Sequence, residues 1–130
     1  MEDLKKATVN SLGTIRIADE VVSTIAGLAA TEVEGVAGMS GGIAGGIAEM
    51  LGRKNFSKGV KVEVGEKEAA VDLYIIVKYG VRIPDIALSV QEGVKNAIEN
   101  MTGLNTVEVN IHIQGVSFPE DIKEEEVRVR

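Results

Sequence analysis

Residues Gly38-Met39-Ser40-Gly41-Gly42 fit the pattern G-x-S-x-G. Between a strand and a helix, that pattern forms a strained elbow that lifts a serine hydroxyl to a histidine base. Asp72 or Asp85, and then His112, follow in the order that such a triad takes along a hydrolase chain. A phosphate-binding reading competes for the same stretch. Gly41 and Gly46 have the spacing of a phosphate loop, but Ile47 and Ala48 stand where lysine and Ser/Thr are needed. Backbone N–H groups alone could hold an anion at a helix start. Gly42-Ile43-Ala44-Gly45 has the G-x-x-G form of a KH clamp on a nucleic-acid backbone, without the basic residue between the glycines. The plain alternative is a glycine-dense connection in which short patterns arise by chance.

Two other groups bear on chemistry. His112 shares the polar face of its strand with Glu108, Asn110 and Gln114, where a surface histidine is the ordinary outcome. Glu63, Asp72 and Glu108 alternate with apolar residues and fall on polar strand faces, which reads as solvated polarity before it reads as a catalytic pair. Composition removes further options. The 130 residues contain no cysteine, one histidine and no tryptophan, so thiolate metal sites, disulfides and multi-histidine centres are excluded within one chain. Twenty acidic against 14 basic residues give a net charge of -6, which argues against a general binder of nucleic-acid backbones. No cofactor and no metal is expected.

The elements that must position these groups are legible from hydrophobic spacing. Residues 1–12 read as a flexible leader, 13–118 as a single α+β domain, and 119–130 as a charged, disordered tail. No apolar leader region and no stretch long enough to span a bilayer is visible, which points to the cytoplasm. Thr14 to Ile17 alternates as a strand, and Asp19 is placed to cap a helix with the stripe Val21, Val22, Ile25, Leu28 and Ala29. Gly35 closes that helix before a short strand, Val36 to Met39. Ile43, Ile47, Met50 and Leu51 share one face of a short amphipathic helix over 43–53 that begins in glycines, followed by Arg53, Lys54 and Lys58.

Val60, Val62 and Val64 make one strand of a hairpin; Val71, Leu73, Ile75, Val77 and Tyr79 make the inward face of the other. Pro84 opens the longest helix, striped by Ile86, Val90, Val94, Ala97, Ile98 and Met101 and ended by Gly103. Val107, Val109, Ile111 and Ile113 alternate in the last strand. Two strand–helix–strand passes around a hairpin predict a two-layer α+β sandwich. It has one mixed sheet, with two main helices on one face and a short extra amphipathic helix. Three apolar residues fall outside this scheme: Tyr74 and Ile76 on the polar sheet face, and Leu88 off its helix stripe.

Four stretches together resemble a known family. They are Gly35 to Gly42; Ile47 to Asn55 with Lys58-Gly59-Val60-Lys61-Val62; Val71 to Gly80; and Val107 to Val116. The resemblance, over about residues 12–118, is to the alkaline shock protein family of Gram-positive bacteria, also called the envelope stress response family. It implies a small, abundant, non-enzymatic cytoplasmic protein with no catalytic residues to transfer. It also implies self-association into a homo-oligomer, and docking at the inner face of the cell membrane through a small membrane-anchored relative. The expected contact surface is the glycine-rich segment at 40–56, with Ile43, Ile47, Met50 and Leu51 as apolar anchors and Arg53 and Lys54 as the polar rim; packing of the same apolar face on the core is an equal reading. An anion- or nucleic-acid-binding module built on the loop at 38–46 is the alternative.

Overall fold

The computed structural model describes residues 7–40 and 58–119, with side chains from residue 10 onward. Its elements run β1 (Ala7–Asn10), β2 (Gly13–Arg16), α1 (Asp19–Thr31), β3 (Val36–Met39), β4 (Val60–Val64), β5 (Glu68–Lys78), α2 (Ile83–Thr102) and β6 (Asn105–Ser117). The architecture is the expected α+β sandwich, with a mixed sheet under two helices. The extra helix expected at 43–53 and the charged tail beyond Pro119 lie outside the described residues.

β5 is the centre of the sheet. Val71, Leu73, Ile75 and Val77 alternate along it and are fully buried under the helices. β6 pairs with one edge of β5 in parallel, from Glu68↔Asn105 to Lys78↔Ser117. The other edge is shared: β3 takes Val77 to Ile75 and β4 takes Leu73 to Ala69, both antiparallel. Thus β3 and β4 lie end to end along one side of β5. α1 packs over β4 and β3, α2 over β6, and the helices pack on each other. Val22, Ala26 and Ala30 of α1 meet Val90, Val94 and Ile98 of α2 in one core. Gly103 ends α2 in the left-handed conformation, φ 77°, and its N–H donates to Glu99 O, as a C-terminal glycine should.

Several expectations fail for identifiable reasons. Residues 7–10, expected in the leader, form β1, which pairs with β2 from Ala7↔Arg16 to Asn10↔Gly13. The Asn10 side chain turns this hairpin by accepting from the Leu12 and Gly13 N–H groups. The N-cap of α1 is Ala18, which offers no side-chain bond, and Asp19 is instead the first helical residue, where its charge suits the helix dipole. Val21 and Leu28 face solvent, because the buried stripe of α1 runs through Val22, Ile25, Ala26 and Ala30. Tyr79 is 65% exposed because β5 stops at Lys78 and the chain turns. Met101 is 71% exposed because the last turn of α2 carries it past the end of the sheet layer. Val107 is 54% exposed because a bulge between Thr106 and Glu108 makes it the extra residue and buries Thr106 instead.

Candidate functional site

The expected contact residues Ile43, Ile47, Met50, Leu51, Arg53 and Lys54 all lie outside the described residues. What the structure gives is the frame from which that segment departs. Ser40 N–H donates to Tyr74 O at 2.7 Å, and Tyr74 N–H donates to Gly59 O at 2.8 Å. Ser40 and Gly59 are therefore both held by one residue of β5, at the junction between β3 and β4. Gly59 is required there. Its φ is +80°, and a Cβ would lie 2.8 Å from Ser40 O and 3.1 Å from Tyr74 O.

On the sheet face away from the helices, the Tyr74 side chain joins a cross-strand ladder. Its ring stacks on His112 with centroids 4.4 Å apart and planes at 12°. Lys61 Nζ lies 5.5 Å from the Tyr74 ring centroid. His112 Nε2 donates to Asp72 Oδ1 at 3.1 Å. The bond from His112 holds the Asp72 carboxyl below its ordinary value; Asn110 and the charges of His112 and Lys61 add to this, and partial burial opposes it. Parallel pairing sets the register that makes this possible: Tyr74 is abreast of His112, and Asp72 of Asn110. The residue pattern puts Asp72 and His112 on polar faces, but alternation along each strand carries no information about which residues lie abreast across strands.

Of the residues in the G-x-S-x-G triad pattern, the structure brings two together. Asp72 and His112 do meet, but among the described residues no hydrogen bond joins the Ser40 hydroxyl to His112. Asp85 pairs instead with Arg82 at 3.4 Å at the start of α2. Glu63 and Glu108 share the outer face with Asp72, with Glu108 accepting from Asn110 Nδ2 at 3.0 Å. No group of three or more His, Asp or Glu able to hold a metal occurs among the described residues.

A third arrangement, with no signal in the residue pattern, lies at the free edge of β6. Gln91 Nε2 donates to Val109 O at 3.0 Å, and Lys95 Nζ to Thr106 O at 3.1 Å. Glu99 Oε2 accepts from Thr106 N–H at 2.9 Å and pairs with Lys95 at 2.7 Å. Three residues on one stripe of α2 thus cover the first half of an edge that would otherwise be open to another strand. The Lys95 bond, then the Thr106 N–H, holds the Glu99 carboxyl below its ordinary value.

Both depressed carboxyls are stabilising when ionised, so their contribution is full above their unfolded values and is lost as pH falls through the folded ones. Unfolding free energy measured by denaturant titration should be level from about pH 7 to about pH 5 and fall below about pH 4. The double substitution Asp72→Asn with Glu99→Gln should flatten that decline, and added salt should weaken it, since both groups are partly exposed.

The chain has clear relatives among known proteins. A sequence model described as the alkaline shock protein 23 family, cell envelope-related function, matches residues 7–118. The uncharacterized protein YqhY of Bacillus subtilis is 47% identical over 118 residues, covering 91% of this chain and 86% of that protein. A Streptococcus pyogenes protein described as a stress response regulator gls24 homolog is 33% identical over 119 residues, covering 91% of this chain and 66% of its own length. Among solved structures, variants of MamM-CTD align over 75% of this chain and 98% of theirs, with a TM-score of 0.47 and 15% identity.

Proposed function

Because the chain belongs to the alkaline shock protein 23 family, whose function is related to the cell envelope, we propose that it is a non-enzymatic interaction protein of the envelope or general stress response. In this reading it self-associates and docks on a membrane-anchored partner at the inner face of the cell membrane. No helix among the described residues is long and apolar enough to cross a membrane. This reading assigns the membrane anchor to the partner. The observation that supports the reading is that Ser40 and Gly59, the described residues nearest the expected contact segment, are both bonded to Tyr74 at one point on the sheet edge. Ile43, Ile47, Met50 and Leu51 supply apolar anchors and Arg53 and Lys54 a basic rim, a composition suited to an amphipathic contact.

Fractionation of cells carrying a tagged chain tests this. The wild type should co-purify from the membrane fraction with a protein that has its own membrane span. Ile47→Glu with Met50→Glu should lower that recovery at least about ten-fold, the loss expected when central apolar anchors are removed, with circular dichroism unchanged. A wild type found wholly in the soluble fraction overturns the docking role. Collapse of the fold in the double variant would assign the stripe to the core instead.

A further inference from the structure

We propose that the uncovered half of the β6 edge is a self-pairing surface, on which a second copy of this chain adds its own β6 antiparallel about a two-fold axis at His112. The proposal rests on the self-association in the reading above but not on residues 41–57.

The edge itself dictates the register. Gln91, Lys95 and Glu99 occupy both outward backbone groups of Thr106 and the carbonyl of Val109. Beyond Val109 the strand pairs regularly with β5 as far as Ile75↔Ile113. Alternation therefore turns the N–H and C=O of Ile111 and Ile113 outward as well, and no partner for them occurs among the described residues. After a second bulge between Ile113 and Gly115 the strand re-engages β5, where Ser117 O accepts from Tyr79 N–H. Among the described residues, Ile111 and Ile113 are thus an open window between a covered stretch and a bulge. An antiparallel copy centred on His112 places Ile111 opposite Ile113 of the partner, and Ile113 opposite Ile111. The four outward N–H and four outward C=O groups of Ile111 and Ile113 in the two copies are then matched, and the Val109 carbonyl keeps its bond from Gln91.

Charge directs a second copy to this edge rather than to another face. The chain carries a net charge of -6, so most faces of two copies repel, yet Val109 to Phe118 contains no Asp, Glu, Lys or Arg. Such an axis is perpendicular to the sheet, so the helices of both copies lie on one side and α2 meets its equivalent. Leu88 continues the helix stripe of Gln91, Lys95 and Glu99. The advance that sets Lys95 at Thr106 and Gln91 at Val109 brings Leu88 level with Ile111. Leu88 is 54% exposed in the single chain and would be covered by the second copy. On the opposite face, His112 of each copy meets across the axis, joining the two Lys61–Tyr74–His112 ladders into one.

The absence of cysteine makes the test clean. His112 lies at a non-hydrogen-bonded position of the proposed pair, where Cα atoms are about 4.5 Å apart, within disulfide reach. His112→Cys should oxidise to a covalent dimer at least about ten-fold faster than Val107→Cys, a comparably accessible position on the covered half. In the cysteine-free chain, Leu88→Glu should weaken self-association at least about ten-fold by sedimentation, with unchanged circular dichroism. If the wild type associates but Leu88→Glu associates equally, or the two cysteine variants cross-link at one rate, the edge proposal fails and self-association stands. A wild type that sediments as a monomer at every concentration overturns both.

Discussion

Replacing Leu73 by alanine should cost about 3 kcal/mol of stability and lower the melting temperature by about 10 °C. Leu73 is fully buried at the middle of β5. It is held in register by Val60 on one side and Ile111 on the other. The helix layer above it is formed by Val22, Val90, Val94 and Ile98, all with no exposed surface. A strand bonded on both edges cannot shift to close the void, so the cavity persists and its cost adds to that of the lost transfer. Leu12→Ala is the control. Leu12 is exposed, and its truncation should change stability by no more than about 0.5 kcal/mol. Thermal and denaturant unfolding of both variants checks the pair. A Leu73 variant within about 1 kcal/mol of the wild type would mean that the helix layer is not anchored on this strand.

Gly59→Ala should cost about 2–3 kcal/mol, more than any surface substitution, because two penalties coincide. The backbone has φ +80°, which L side chains rarely adopt, and the added carbon meets two carbonyl oxygens that are backbone and cannot rotate away. The expected damage is local. The Ser40 and Tyr74 amides should lose hydrogen-exchange protection, because their bonds close the junction, while α1 and α2 stay protected. Gly38→Ala is the matched comparison: it has ordinary φ and no atom within 4 Å of an added Cβ, so it should be near neutral.

These two sites differ in how far the residue pattern reveals them. Leu73 is legible because alternation with period two over Val71 to Val77 is a direct print of burial on one face. The same holds for Val90, Val94 and Ile98 at helical spacing. The rule fails where a bulge or an element end breaks the period, as at Val107, Tyr79 and Met101, since neither a bulge nor a stop point leaves a distinct residue signature. Gly59 is visible as a glycine but not as a junction, because nothing local announces that β3 and β4 share one edge of β5. The ladder of Lys61, Tyr74 and His112 and the cover by Gln91, Lys95 and Glu99 are likewise products of register and packing. Alone, each of the others reads as an ordinary surface polar group, and Tyr74 only as an apolar residue out of place on a polar face. For the segment between Ser40 and Gly59, amphipathic composition is a property of the residues, whereas its two anchor points emerge only from the folded sheet.

The sharing of one β5 edge by β3 and β4 has an evolutionary consequence. A chain whose two ends are bound to a single residue closes its loop at a cost that grows only with the logarithm of its length, about 0.6 kcal/mol for each doubling. The strands on either side each take their register from their own pairing with β5. The scaffold can therefore accept longer, shorter or wholly different inserts at this one position with little thermodynamic penalty. Duplicated copies of such a gene could diverge there first, acquiring new specificities while the sandwich stays unchanged.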